Sequence, residues 1–416
     1  MSPPDINPHA TPAVLVIFTL TYLGIALGHV PGLKLDSTGI VLLGAIGIMV
    51  FSGLQTTRVV GFINWPTILL LFGFFVLSAQ LRLSGFFDKV ATGISARLQS
   101  PAHFLLILML VTAGLSAFLN HDIVCFVFAP IVGTALLRQQ INPVPFLIAL
   151  AVASNIGAAA TVVGNPQDMM IAQVAGLSFG RYLLWCIAPV VFALGCAYGI
   201  IWGMSRRNLA FTVPVPAGGA PLLQPFNRAH TIKGLVILGL VIAFFFTPIP
   251  KEIIALTAAG IHLASRKFGT EDLLKLVDWS ILVLFMGLFV VTGAFQATGS
   301  SEHAMQWLAH AGLNLQSPSI LAMVTAALSN LINNSAAVLL LVKVLNVAHP
   351  QTAYVLALAN SFGGSLLIIG SVSNIIVVQQ ARELGINISF RDFARLGVPV
   401  TLAAIAGLLA WVSLMG

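Results

Sequence analysis

Asp122 and Asp168 are carboxylic acids set in stretches otherwise apolar enough to cross a membrane. At bilayer depth an ionised carboxylate costs about 2.5–3.5 kcal/mol even on the lenient insertion scale, so each requires a partner, water or a proton. A carboxyl so placed is a candidate proton carrier. His121, next to Asp122, titrates near neutral pH in its ordinary state and joins them as a proton-coupling candidate, although a lone histidine also serves as a structural donor. Around these lie neutral donors and acceptors: Asn120, Asn165, Asn333, Asn334, Ser335, Asn360, Ser361, Ser371, Ser373 and Asn374, with the backbone at Gly370. They are the candidate substrate-binding groups. Asn155 and Asn330 read better as glue between helices. Cys125, one turn past Asp122, offers a soft sulfur contact, although buried apolar filler is the commoner use of a free cysteine. Cys125, Cys186 and Cys196 have neither metal-ligand spacing nor a disulfide framework, and no cofactor or metal is expected.

No Lys or Arg is expected close to these groups. Two carboxyls without a fixed cation suit a neutral polar solute, or a cation, exchanged against protons better than a dianion.

The elements that must position this chemistry are membrane spans. The chain is 58% hydrophobic and 7% charged, far from soluble usage, which predicts an all-α polytopic membrane protein. The stretch before the first apolar run lacks Lys and Arg, so that run is expected to be a retained span rather than a signal. Apolar runs predict spans at 14–29, 38–51, 65–83, 144–176 and 182–204, then at 232–246, 252–264, 279–297, 352–382 and 393–414. The runs 144–176 and 352–382 are too long for one span, and Gly164, Pro166 and Asp168 interrupt the first of them, predicting broken helices that line a cavity. Two apolar pairs, 103–119 with 123–137 and 320–332 with 336–347, are read as re-entrant hairpins, although periodicity also allows short full spans at 102–138 and 318–348.

The two sets of spans are copies of one another. Residues 153–173 overlay 359–379 without a gap, about 206 positions on, pairing Gly157 with Gly363, Gly164 with Gly370 and Asp168 with Asn374. Trp65 and Gly73 pair with Trp279 and Gly287, and Asn120-His121-Asp122 falls on Asn333-Asn334-Ser335. This predicts a first repeat at 10–205, a proline-rich linker at 206–230 and a second repeat at 231–416. Five spans and one hairpin in each repeat require opposite insertion. The basic residues agree: Lys34, Arg82, Lys89, Arg97, Arg138, Arg206, Arg207, Arg228, Lys233, Arg266, Lys267, Lys275, Arg382, Arg391 and Arg395 fall on one side, with only Arg58, Arg181, Lys251 and Lys343 on the other. The positive-inside rule then puts the linker in the cytoplasm and both termini and the turn 298–316 outside, in a plasma or inner membrane. The pI near 9.7 is accordingly a topology signal and not a nucleic-acid one.

These motifs resemble the ion transporter superfamily over nearly the whole chain, closest to its arsenite efflux permease and sodium/proton antiporter branch. Residues 116–130 look like its first hairpin tip, with Asp122 at the aspartate of an Ala-Asn-Asp motif and His121 replacing the Asn. Residues 164–168 and 370–374 look like its paired loops in broken helices. The resemblance implies inverted repeats, a scaffold and a moving part, and elevator-type alternation. The tips lack the Ser-Asn-Thr of dicarboxylate symporters. The expected function is therefore not enzymatic but proton-coupled efflux of arsenite or antimonite, a small inorganic substrate. A sodium/proton antiporter, with Na+ as coupling ion, or a permease for another anion, dicarboxylate included, is the alternative. A homodimer and a soluble ATPase subunit are the expected protein partners beside the lipid bilayer. An intramembrane aspartyl hydrolase is disfavoured, because neither Asp lies in a Gly-x-Gly-Asp sequence.

Overall fold

The computed structural model describes residues 11–27, 35–96, 98, 100–207, 209, 223–264, 267–300, 306, 313–345, 347 and 349–415. Most of the linker 206–230, much of the turn 298–316 and both extreme termini therefore lie outside the described residues.

Every regular element among the described residues is helical. The first half runs α1 (Thr11–Leu27), α2 (Ser37–Phe51), the short α3 (Thr56–Val60), α4 (Trp65–Leu83), α5 (Phe86–Ser95), α6 (Pro101–Phe118), α7 (His121–Arg138), α8 (Val144–Ala158), α9 (Pro166–Val174) and α10 (Phe179–Ser205). The second runs α11 (Arg228–Phe244), α12 (Lys251–Leu263), α13 (Thr270–Lys275), α14 (Trp279–Ala297), α15 (Pro318–Leu331), α16 (Asn334–Val344), α17 (Pro350–Gly363), α18 (Val372–Glu383) and α19 (Phe390–Met415). Matching local signals start matching helices. Asn64 Oδ1 accepts the Thr67 N–H at 3.0 Å ahead of α4, and Asp278 Oδ1 accepts the Ile281 N–H at 3.0 Å ahead of α14. Both long apolar runs break as their composition predicts. Helix α8 ends seven residues before α9 begins, and α17 is joined to α18 through one 3-10 turn at Ile368–Gly370.

The halves interlock reciprocally. Helix α4 packs on α12 while α2 packs on α14, and α7 packs on α18 while α9 packs on α16. Glycines permit the closest crossings. A Cβ on Gly157 would overlap the Ala113 backbone where α8 crosses α6, and one on Gly363 would come within 2.7 Å of Ala326 Cα where α17 crosses α15. Small residues of this kind bring helix backbones together where lipid offers no hydrophobic drive.

Among the described residues six helices are long and apolar enough to cross a membrane: α4, α6, α7, α10, α14 and α19. By length the arms of the first hairpin, 18 residues each, qualify as spans, whereas α15 and α16, with 14 and 11, do not. The first tip nonetheless ends inside the protein. Asn120 is 7% exposed and its N–H points to Ser78 Oγ at 3.4 Å.

Candidate functional site

Four helix N-termini lie in the interior as two pairs: that of α7 at the first hairpin tip against α18 after the second break, and that of α16 at the second tip against α9 after the first. Asparagine side chains cap three of them. Asn120 Oδ1 accepts the Asp122 N–H at 2.8 Å, Asn165 Oδ1 the Asp168 N–H at 2.7 Å, and Asn333 Oδ1 the Ser335 N–H at 3.0 Å. Asn333 does so with φ at +71°, a conformation asparagine tolerates better than most side chains. Ser371, at the fourth, turns its hydroxyl away to Asn155 Oδ1 at 2.8 Å.

Side chains from one half close onto the other. Ser373 Oγ donates to Asp122 Oδ1 at 2.5 Å, and at the equivalent place Gln167 Nε2 donates to Ser335 Oγ at 2.7 Å and to Asn334 Oδ1 at 3.1 Å. Asn155 Nδ2 also donates to Asn374 Oδ1 at 2.9 Å, and the counterpart of the Ser371 contact on Asn155 is Asn165 Nδ2 to Ser361 Oγ at 2.9 Å, with the same amide donating to Asp168 Oδ2 at 2.8 Å. The pairings across the halves join residues 167 to 251 positions apart, and two of them, Ser373 to Asp122 with Gln167 to Ser335 and Ser371 to Asn155 with Asn165 to Ser361, use aligned positions of the two halves.

The mirror breaks in charge. Asp122 and Asp168 occupy the first turns of α7 and α9, where the positive helix end favours a carboxylate. Their counterparts Ser335 and Asn374 are neutral, which leaves the ends of α16 and α18 without a carboxylate in the same place.

Asp122 lines a cavity of about 410 Å3 together with Asn120 and Phe126 of the hairpin, Ile376 of α18, and Arg82, Lys275 and Asp278 from α4, α13 and the α14 cap. This corrects the expectation that no cation lies near the site. The Arg82 guanidinium sits 4.5 Å over the Phe126 ring, and Lys275 pairs with Glu271 at 2.7 Å. Both cations belong to sequence segments that read as loop edges, and the fold turns them over the hairpin tip. His121 is buried, with Nε2 at 3.6 Å from Asp122 Oδ1 and Nδ1 without a protein partner. Asp168 is fully buried and is not part of that cavity's wall, so the two carboxyls do not share it.

Near the two breaks, buried polar atoms meet no partner at hydrogen-bond geometry: Asp168 Oδ1, beside which the Tyr182 and Ser361 hydroxyls lie, Gln167 Oε1, and both Nδ2 and Oδ1 of Asn360. Cys125 is fully buried, its thiol next to the hydroxyls of Ser154 and Ser373. Gly370 packs against Asn330 and Gly364 rather than facing open space. Asn330 donates to the Ala326 and Gly363 carbonyls, both at 2.8 Å, which is helix glue. Asn155 also joins helices, bonding from α8 to Ser371 and Asn374 at the second break. Gln167 is a residue of this seam that the sequence motifs did not single out. The repeat offset held a signal for Gln167, which falls on Ser373. Among the described residues no cluster of His, Cys, Asp or Glu is arranged to hold a metal ion.

Broken helices, buried hairpin tips and a polar seam between interlocked halves define the class: a membrane transporter. The chain belongs to the CitMHS citrate transporter family, within the ion transporter superfamily, whose model matches residues 13–359. It is 30% identical to a 46 kDa membrane protein of Mycobacterium leprae over 95% of this chain and 97% of that one. It is 25% identical to a silicon efflux transporter of rice, Oryza sativa subsp. japonica, over 94% and 95%. Its fold is shared by the YdaH transporter of Alcanivorax borkumensis, with a TM-score of 0.63, 15% identity, and coverage of 98% and 99%.

Proposed function

We propose that this chain is a secondary active transporter that expels a small polyhydroxylated acid, arsenite or antimonite as the neutral trihydroxide, in exchange for protons. The observation that carries this reading is the set of unmet groups beside Asp168. Three acceptor oxygens, Asp168 Oδ1, Gln167 Oε1 and Asn360 Oδ1, lie with one free amide in a seam of neutral side chains. A buried polar group left unpaired costs about 1–3 kcal/mol, so such atoms favour a ligand that supplies O–H donors. A trihydroxide has three. Silicic acid, the hydrated form of what the rice relative exports, belongs to the same chemical class.

In this reading Asp122, open to the cavity and bonded to Ser373 across the halves, takes up and releases the proton. The halves insert oppositely, as two repeats at 10–205 and 231–416. The helices carrying the seam (α6–α10 with α15–α19) slide as an elevator along a frame of α1, α2, α4, α11, α12 and α14. The cavity at Asp122 then opens on the side rich in Lys and Arg, the cytoplasm of a cell with this chain in its inner membrane. Homodimerisation and an ATPase subunit are compatible additions.

A second reading has its own observation. Arg82, Lys275 and uncompensated helix ends suit an anion, and the family's name is that of citrate transporters. Everted vesicles decide. The first reading expects arsenite uptake driven by an acid lumen, abolished by a protonophore and by Asp122→Asn. Uptake indifferent to the gradient, or unaffected by that substitution, overturns it, and citrate uptake, with or without sodium, selects the anion reading.

A further inference from the structure

The scaffold-side helices of the two halves differ in one respect that transport does not use. In the first half, α1 and α2 pack face to face: a Cβ on Gly24 would lie 2.9 Å from Ile40 Cγ2, and one on Gly44 would overlap Thr21. In the second half Gly239 in α11 and Gly260 in α12 have nothing within 4 Å of such a Cβ, and the other glycine of α11, Gly234, packs on Gln80 and Leu81 of α4 instead of on α12. The result is an apolar groove of about 340 Å3 between α11 and α12, walled by Ile237, Phe244, Ile253, Thr257 and Ile261. Phe244, Ile253 and Ile261 are 46%, 50% and 47% exposed, so the groove opens outward. From Ile253 to Ile261 it runs about 12 Å at 1.5 Å per residue. That is most of the roughly 15 Å depth of one hydrocarbon leaflet.

One end of the groove is cationic. Lys233 Nζ reaches across from α11 to the Ile261 carbonyl of α12 at 3.2 Å, directly above the groove wall. His230 lies in the field of both Lys233 and Lys267, and its ring stands 4.8 Å from that of Phe268. At the other end Lys251 is followed by Glu252, so charge there is balanced.

We propose that this groove is a binding site for one anionic phospholipid, its acyl chain along α11 and α12 and its phosphate on Lys233, with Lys267 and His230 beside it. A chain entering the groove leaves equally apolar lipid, so the chain supplies fit and the headgroup supplies selectivity. Charge complementarity therefore names the occupant.

Native mass spectrometry of the full-length protein in detergent, titrated with phosphatidylglycerol or with phosphatidylcholine of the same chains, tests this. The expected result is one retained phosphatidylglycerol per chain, with about a tenfold preference over phosphatidylcholine. Lys233→Gln with Lys267→Gln should bring the two lipids level while leaving the melting temperature of the lipid-free protein unchanged. Thr257→Phe, which fills the groove, should lose both. Equal retention of the two lipids by the parent chain, an unchanged preference in the double variant, or full retention by Thr257→Phe would each overturn the site. Cross-linking of Ile253→Cys between chains in nanodiscs would also overturn it, since a second copy would then occupy the groove.

Discussion

At the scale of single residues, the repeat supplies two versions of one contact that differ only in charge. Ser373 to Asp122 is a hydroxyl on a carboxyl, whereas Gln167 to Ser335 joins two neutral groups. Hydrogen bonds to charged groups are worth about 1.5–3 kcal/mol, neutral ones about 0.5–1.5. Ser373→Ala is therefore expected to slow proton-driven transport about ten- to hundredfold. Ser373→Thr should restore it, and Gln167→Ala should cost about tenfold or less. Initial rates in everted vesicles measure all three; equal losses at the two positions would refute the special standing of Asp122. The types of these residues were legible in the sequence, because a carboxyl in an apolar run stands out by its cost. Their partners were not. An alignment of repeats says which residues are equivalent, not which touch, and here each residue touches the opposite repeat.

At the scale of elements, the breaks and tips work because glycine lets helices cross at backbone distance. Gly157 against Ala113 and Gly363 against Ala326 are the same crossing made twice. Overpacking a tight core costs about 1–3 kcal/mol, more where backbone is the obstacle. Gly157→Leu is expected to lower the melting temperature of the detergent-purified protein by several degrees. Gly195→Leu, where a Cβ meets nothing within 4 Å, should leave it unchanged and serves as the control. An unaltered melting temperature in Gly157→Leu would show that α8 and α6 separate more readily than this packing implies. These elements were readable: run length, the Gly-Pro interruptions and the ungapped overlay placed the breaks correctly. Hairpin against span was not readable, since arms of 18 residues satisfy either by length. Burial of the tip against Ser78 and Ser373 is a tertiary fact.

At the scale of the whole molecule, the helices proposed to move meet the proposed frame through polar contacts that include Tyr22 OH to the Ala336 carbonyl at 3.3 Å and the Asn120 N–H to Ser78 Oγ at 3.4 Å. Another is Gln173 Nε2 on α9 to Glu252 Oε2 on α12, at 3.1 Å. If the former slide past the latter, a short bismaleimide joining Gln173→Cys to Glu252→Cys should stop transport, with loss of at least tenfold against the uncross-linked variant. Binding of substrate from the open side should persist. Full transport by the cross-linked protein would exclude relative movement at that boundary.

The sequence by itself determined the membrane-spanning class, the two helix breaks and the polar residues gathered around them. Each is written in composition or in the order of residues along the chain, where burial cost and backbone chemistry act locally. Only the tertiary structure decided that the halves interlock, so that Asp122 meets Ser373 and Asn165 meets Ser361. It alone also brought Arg82 over the hairpin tip and set Asp168 apart from the cavity that Asp122 lines. Those outcomes depend on how helices distant in the chain cross in space. The crossing is selected by the sum of many weak packing contacts, and no single stretch of sequence encodes that sum.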